Sequence, residues 1–390
     1  MTEKTARYFR FIRFSLGIDD GEGWLSDDVQ NGFDWNVFFR FAKEQTLAGI
    51  AFEGVQRLPK EQAPSKAVLM NWLMLSQALR QQNLRMNRAT AYIYNKVCRA
   101  GLRCCILKGQ GNALMYPDPH SRTPGDVDVW VNASRHDIRR LARMLAADGN
   151  GSIGEESRNH IEMTVNDISV ELHSTPAIMN NPWHDHRMQQ WLRRNADLQC
   201  SNVVPLPDDA GSVAVPTSAF NAVYQLFHLY HHYLYEGIGL RQFVDYYFVL
   251  KCLSTDSTDE HGWHEGLGED SPTDFSESTD LGVLQRELKW LGLWKFAGAV
   301  MYVLHEVLGL PRGWMVAPMD ERRGRLLLDE IMRGGNFGQH ASEKRSGSMT
   351  WRHNVYRLQK DWRLMRYYPG ECLAEPFYRL WHLVWRMKHR

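Results

Sequence analysis

Between residues 65 and 100, Leu69, Trp72, Leu73, Leu75, Leu79, Leu84, Met86, Ala89, Ile93 and Val97 recur three and four positions apart. That spacing predicts one long helix with a single apolar side. Gly101 stands where such a helix would end in a left-handed residue. Earlier in the chain, residues 4–16 place Phe9, Ile12 and Leu16 on one side of a helix and Arg7, Arg10 and Arg13 on others. Trp35, Phe38, Phe39 and Phe41 begin a further helix, which Leu47, Ile50, Phe52 and Val55 extend towards Pro59.

Beyond Gly101 the period changes to two. Residues 103–107 form an apolar strand that runs into Lys108-Gly109-Gln110-Gly111, and residues 112–116 have the character of a short helix. A turn-rich link leads to a second strand, in which Asp126 and Asp128 alternate with Val127, Val129 and Val131. Ser134 can cap a helix reaching about residue 148, and 149–154 is expected to be a loop. Residues 160–173 predict a hairpin turning at Asn166-Asp167, a pair that tolerates positive φ. Its register sets Val165 opposite Ile168, Met163 opposite Val170 and Ile161 opposite Leu172 on one face. The other face then carries Thr164 with Ser169, Glu162 with Glu171 and His160 with His173. A Pro- and Trp-containing segment, 174–199, leads to Val213-Ala214-Val215-Pro216. Thr217 or Ser218 caps a helix from 219 to about 234, and another follows over 240–250.

Composition narrows the class. The chain has 390 residues, enough for two or three domains, and a net charge of +1, so no global field favours nucleic acid or a membrane. The six cysteines show no paired ligand spacing, which fits reduced thiols in a cytoplasmic protein. The N-terminus alternates Arg with Phe and lacks the apolar core of a signal peptide, and no window approaches the roughly 18 apolar residues of a membrane span. Residues 254–280 are rich in Ser, Thr, Gly and acids and read as a flexible linker or insertion. Helices resume over 281–309 and 319–333, followed by a Gly/Ser-rich stretch at 334–350. The tail 351–390 mixes Trp, Tyr and Leu with many Arg; it can bind nucleic acid or pack on the helices with its Arg heads wet.

The chemistry lies in the acids. In a strand, Asp126 and Asp128 project from one face while the valines fill the other. Paired carboxylates on a half-buried surface repel and lose hydration unless a cation lies between them. Mg²⁺ is the expected cation because it takes carboxylate oxygens and keeps sites open for water and phosphate. His228, His231 and His232 have the spacing of metal ligands on a helix, but their apolar neighbours point to core packing. Arg241 and Asp245 are spaced as an i, i+4 ion pair.

Strand, glycine turn, short helix and an Asp-hydrophobic-Asp strand together resemble the nucleotidyltransferase superfamily typified by DNA polymerase β. The closer similarity, over roughly residues 35–250, is to a bacterial family of uncharacterised nucleotidyltransferases. It is carried by Leu107-Lys108-Gly109, Tyr116, Arg122, Asp126-Val127-Asp128 and Glu171-Leu172-His173. The resemblance implies an α+β fold, with a small mixed sheet framed by N-terminal helices and followed by a helical C-terminal region. With the pattern of elements it gives a division into an N-terminal helical region at 1–100, a nucleotidyltransferase core at 101–216, helices packing on it at 217–253, the acidic linker or insertion at 254–280, and a C-terminal helical region with the basic aromatic tail at 281–390.

The implied activity is transfer of a nucleoside monophosphate from ATP or another NTP to a hydroxyl on a protein, a tRNA or a small molecule. Two Mg²⁺ ions, or Mn²⁺ in their place, would be held by Asp126, Asp128 and Glu171, with Glu162 competing for the third position. Lys108, Gly109, Gln110, Arg122 and His173 would contact the nucleotide; Arg122 as a solvated loop residue is the plainer alternative. The turn departs from the superfamily, which prefers Gly-Ser or Gly-Gly where this chain has Gly109-Gln110. That departure favours a second reading, a catalytically inactive nucleotide-binding scaffold of the same fold.

Overall fold

A computed structural model of the chain describes residues 2–21, 33–148, 151–256, 281–334, 360 and 362–389. Four helices come first: α1 (Glu3–Ser15), α2 (Trp35–Glu44), α3 (Ala48–Gln56) and α4 (Lys66–Arg99). The single helix expected over 35–59 is two, because Thr46 takes a positive φ of 54° between them. The Trp72 indole N–H, on α4, donates to the Ala48 carbonyl at 2.7 Å and so anchors α3. Gly101 follows α4 at φ 75°, as its position implied.

The sheet comes next: β1 (Cys104–Leu107), α5 (Gly109–Ala113), β2 (Val127–Val131), α6 (Arg135–Ala147), β3 (Ser152–Glu156), β4 (His160–Val165) and β5 (Ile168–His173). Strand order is β1-β2-β5-β4-β3. The β2–β5 pair is parallel and the others are antiparallel, so the sheet is mixed. The hairpin register is the one its alternation predicts, with Asn166 and Asp167 both at positive φ. The segment 149–154 is not all loop: β3 starts at Ser152 and lies largely exposed on the sheet edge.

One sheet face presents Ile106, Val127, Val129, Val170, Leu172, Ile161 and Met163 to α4 and α6, which contribute Ile93, Val97, Ile138 and Leu141 to one core. The opposite face carries Cys105, Leu107 and Trp130 into a larger, mainly helical core. Between these apolar layers the odd-numbered valines of β2 point one way and Asp128 the other.

The helical layer contains α7 (Pro182–Gln199), α8 (Ser218–Tyr235), α9 (Leu240–Asp256), α10 (Leu281–Trp290), α11 (Trp294–Leu308), α12 (Glu321–Gly334) and α13 (Pro369–His389), with a small ribbon of β6 (Val203–Leu206) and β7 (Gly211–Ala214). Trp130 stacks on Phe220 of α8, and Phe220 on Trp191 of α7, with interplanar angles of 15° and 11°. Glu371 of α13 accepts from the Asn180 and Asn181 amides at the start of α7, both at 3.1 Å. Leu364, Tyr368 and Cys372 of the tail are buried in the same core, so this part of the tail joins the helical layer. Most of the stretch expected as a linker (257–280), the Gly/Ser-rich stretch from 335 and residues 351–359 lie outside the described residues. The result is an α+β fold with a small mixed sheet and a helical C-terminal region.

Candidate active site

Three strands and one turn gather the charged residues on the face opposite the valines. The parallel register sets Asp128 beside Glu171 and Trp130 beside His173, while antiparallel β1 sets Leu107 beside Asp128. Asp126 immediately precedes β2. One oxygen from each of Asp126, Asp128 and Glu171 lies within 4.8 Å of the others. These are the three acids singled out in the sequence. Glu162, the competitor, is the register partner of Glu171 and is drawn to His160 at 3.5 Å.

The turn after β1 is tight. Lys108 holds φ 49° and ψ −144°, and Gly109 holds φ 42°. A Cβ on Gly109 would come within 3.2 Å of the Asp126 carbonyl, so the turn lies against the acidic strand and glycine is needed there. The short helix starts at once, at Gly109 rather than 112. This geometry brings Lys108 Nζ to 2.9 Å from Asp128 Oδ1. His173 Nε2 lies 2.9 Å from the same oxygen and 3.1 Å from Glu171 Oε2.

These contacts set the charge states. Burial alone would raise the Asp128 carboxyl, but the Lys108 ammonium and the His173 hydrogen bond outweigh it and hold the group below the usual carboxylate range. Burial opposes the charged form of His173, yet its bonds to Asp128 and Glu171 push the imidazole up to about 9. Glu171 is likewise lowered: burial acts against ionisation, and His173 reverses it. Asp126 is raised, first by the neighbouring Asp128 charge and then by burial. Two protein cations thus line the acids, and Lys108 offsets only part of the repulsion and burial that raise Asp126. Carboxylate oxygens gathered this closely suit Mg²⁺, which would relieve the repulsion on Asp126.

The remaining predicted contacts divide. The Gln110 side chain is buried and donates its amide to Asn87 and, at 3.4 Å, to Asn83 on α4, so it turns away from the acids. Arg122 does not sit as a solvated loop residue. It is buried against Asp245 of α9, with Nε–Oδ1 at 2.7 Å and Nη2–Oδ2 at 2.8 Å. The Tyr116 hydroxyl donates to the same carboxylate at 2.7 Å. Asp245 was expected to pair with Arg241 one turn away; its forked partner is instead Arg122, and Arg241 donates to the Thr123 carbonyl at 2.8 Å. Tyr116, Arg122 and Asp245 therefore brace the link that ends in Asp126.

Sequence reasoning missed Asn83, whose amide donates to the His120 and Arg122 carbonyls, both at 2.9 Å. Nothing local to Asn83 signals that role. On α8, His232 Nε2 lies 2.9 Å from His228 Nε2, and the other His232 nitrogen meets Glu236 at 2.8 Å. Among the described residues, the groups able to converge on a cation are Asp126–Asp128–Glu171 and His160–Glu171–His173, and the α8 histidines are not among them. No described helix is long and apolar enough to cross a membrane.

Residues 31–264 match the family model described as uncharacterised nucleotidyltransferase. No curated protein matches the chain. Among solved structures, an antigenic nucleotidyltransferase-like protein from Paracoccidioides brasiliensis is similar at 12% sequence identity, over 61% of this chain and 96% of that one, with a TM-score of 0.33.

Proposed function

This chain belongs to the uncharacterised nucleotidyltransferase family, and from that premise we propose that it transfers a nucleoside monophosphate from an NTP, with ATP the first candidate, to a hydroxyl acceptor on a protein, a tRNA or a small molecule. The observation that carries this reading is the convergence of Asp126, Asp128 and Glu171 within 4.8 Å, beside Lys108.

Asp126, Asp128 and Glu171 would hold two Mg²⁺ ions, or Mn²⁺ in their place. Bound there, the ions would supply charge neutralisation for the attacking and leaving oxygens. Lys108 would face the phosphates from the turn, where Gly109 and the Gln110 backbone N–H admit close approach. Glu171, kept ionised by His173, can accept the proton of the acceptor hydroxyl. His173 orients Glu171 and Asp128 and borders the nucleotide. Arg122 acts through Asp245 to keep the link, and hence Asp126, in place.

The test is incubation with α-labelled NTPs and candidate acceptors, comparing wild type with the Asp126→Ala/Asp128→Ala double variant. Labelling by wild type alone supports transfer; equal labelling by both removes the assignment. The second reading, nucleotide binding without transfer, rests on the Gly109-Gln110 turn of the sequence. Calorimetry with ATP separates an inert scaffold, which would show no Mg²⁺-dependent triphosphate affinity.

A further inference from the structure

We propose that His160, Glu171 and His173 form a separate site for a transition-metal ion of the Zn²⁺ class, beside the three-carboxylate cluster. Their ligand atoms lie within 4.8 Å of one another. His160 and His173 are register partners on β4 and β5, with ring centroids 5.2 Å apart and planes at 60°. His160 Nδ1 faces Glu171 Oε2 at 3.8 Å, and His173 Nε2 faces the same oxygen at 3.1 Å. The two imidazoles therefore reach the same carboxylate oxygen.

Two further observations support a ligand here. His160 Nδ1 is buried without a hydrogen-bond partner, although it points at the carboxylate. The other His160 nitrogen, Nε2, is 3.5 Å from Glu162, the arrangement in which an outer carboxylate orients a metal-binding histidine. Imidazole donors select zinc, nickel, iron and copper over Mg²⁺, whereas an all-carboxylate set favours the hard ions. Two His and one carboxylate leave coordination positions open. Paired strands, rather than loops, fix the donors. The site stands without nucleotidyl transfer, although it shares Glu171 and His173 with the residues that reading uses, and a bound ion would take the place of the His173 Nε2 proton.

The experiment is Zn²⁺ titration of the full chain against a chromophoric chelator in excess Mg²⁺, with no nucleotide present. His160→Ala and His160→Gln are compared with wild type, and thermal unfolding establishes that each variant folds. The expected result is Zn²⁺ binding by wild type that weakens about tenfold or more in both variants. Pulsed EPR of Cu²⁺ bound to the wild type should show coupling to imidazole nitrogen, a readout that requires no variant. Absence of Zn²⁺ binding, equal affinity in a folded His160 variant, or a Cu²⁺ spectrum without imidazole nitrogen would overturn the proposal. Nucleotidyl transfer fails on different evidence, the labelling by Asp126→Ala/Asp128→Ala, so either assignment can fall alone.

Discussion

Lys108 Nζ and Asp128 Oδ1 are 2.9 Å apart, and the aspartate side chain is only 2% exposed. Removing one partner of a buried ion pair leaves a charge without compensation. Lys108→Met should therefore destabilise the protein by about 3 kcal/mol in urea unfolding. Excess Mg²⁺ should recover part of that loss, because a ligand bound to the folded state alone stabilises it. A neutral result would mean that His173 compensates Asp128 unaided.

Mg²⁺ should also raise the melting temperature of the wild type, by an amount equivalent to about 2.7 kcal/mol at a hundredfold excess over its dissociation constant. Asp126→Asn and Asp128→Asn should flatten that response. Nucleotidyl transfer should stop in EDTA and return with Mg²⁺. In Asp128→Asn the rate should fall on the order of 10²- to 10³-fold.

The Arg122–Asp245 pair predicts an acid limb in stability. Burial alone would raise Asp245, but the Arg122 guanidinium outweighs it, and the folded carboxyl titrates below its ordinary value. The stabilisation is thus complete above the ordinary value of about 4 and is lost as the pH falls through the lower folded value. Melting temperature measured from pH 6 down to 3 should drop, and Asp245→Asn should start less stable with a shallower acid slope.

Gly49 on α3 sits against the link to the acids. A Cβ there would lie 2.3 Å from the Ser121 carbonyl oxygen, and backbone cannot swing aside as a flexible side chain can. Gly49→Ala should cost about 1–3 kcal/mol in denaturant unfolding. It should also lower transfer activity, because Ser121 lies in the link that positions Asp126.

Gln110→Ala discriminates between two roles for the residue after the glycine. Loss of its amide leaves Asn87 and Asn83 short of a donor, at a cost of about 1–3 kcal/mol. ATP affinity should stay unchanged, because that amide faces α4. A fall in affinity without a fall in stability would return the side chain to the nucleotide.

The legible parts of this chain were those where a local pattern determines structure. Alternation on both arms of Asn166-Asp167 fixed the hairpin, and with it the pairing of Glu171 with Glu162 and of His173 with His160. Asp126-Val127-Asp128 announced its two faces. Strand β3 was illegible because it is an exposed edge without alternation. Helix α7 buries Met188, Trp191, Leu192 and Ala196 at helical spacing, and Asn181 caps it with Pro182 in the first turn, so the signal for this helix was present in the sequence and went unread. The Arg122–Asp245 bridge joins residues 123 positions apart, a contact that only the packed helices create. The break at Thr46 rests on a left-handed residue that no glycine advertises.

Asp128 and Glu171 are adjacent in space because β2 and β5 run parallel, and the chain between them must first make a helix, an edge strand and a hairpin. Any affinity that depends on both carboxylates is therefore absent from a growing polypeptide until β5 has emerged and docked. Long-range closure of this kind is slow relative to hairpin formation. Such an ion would bind late, fastening a nearly finished sheet rather than seeding it.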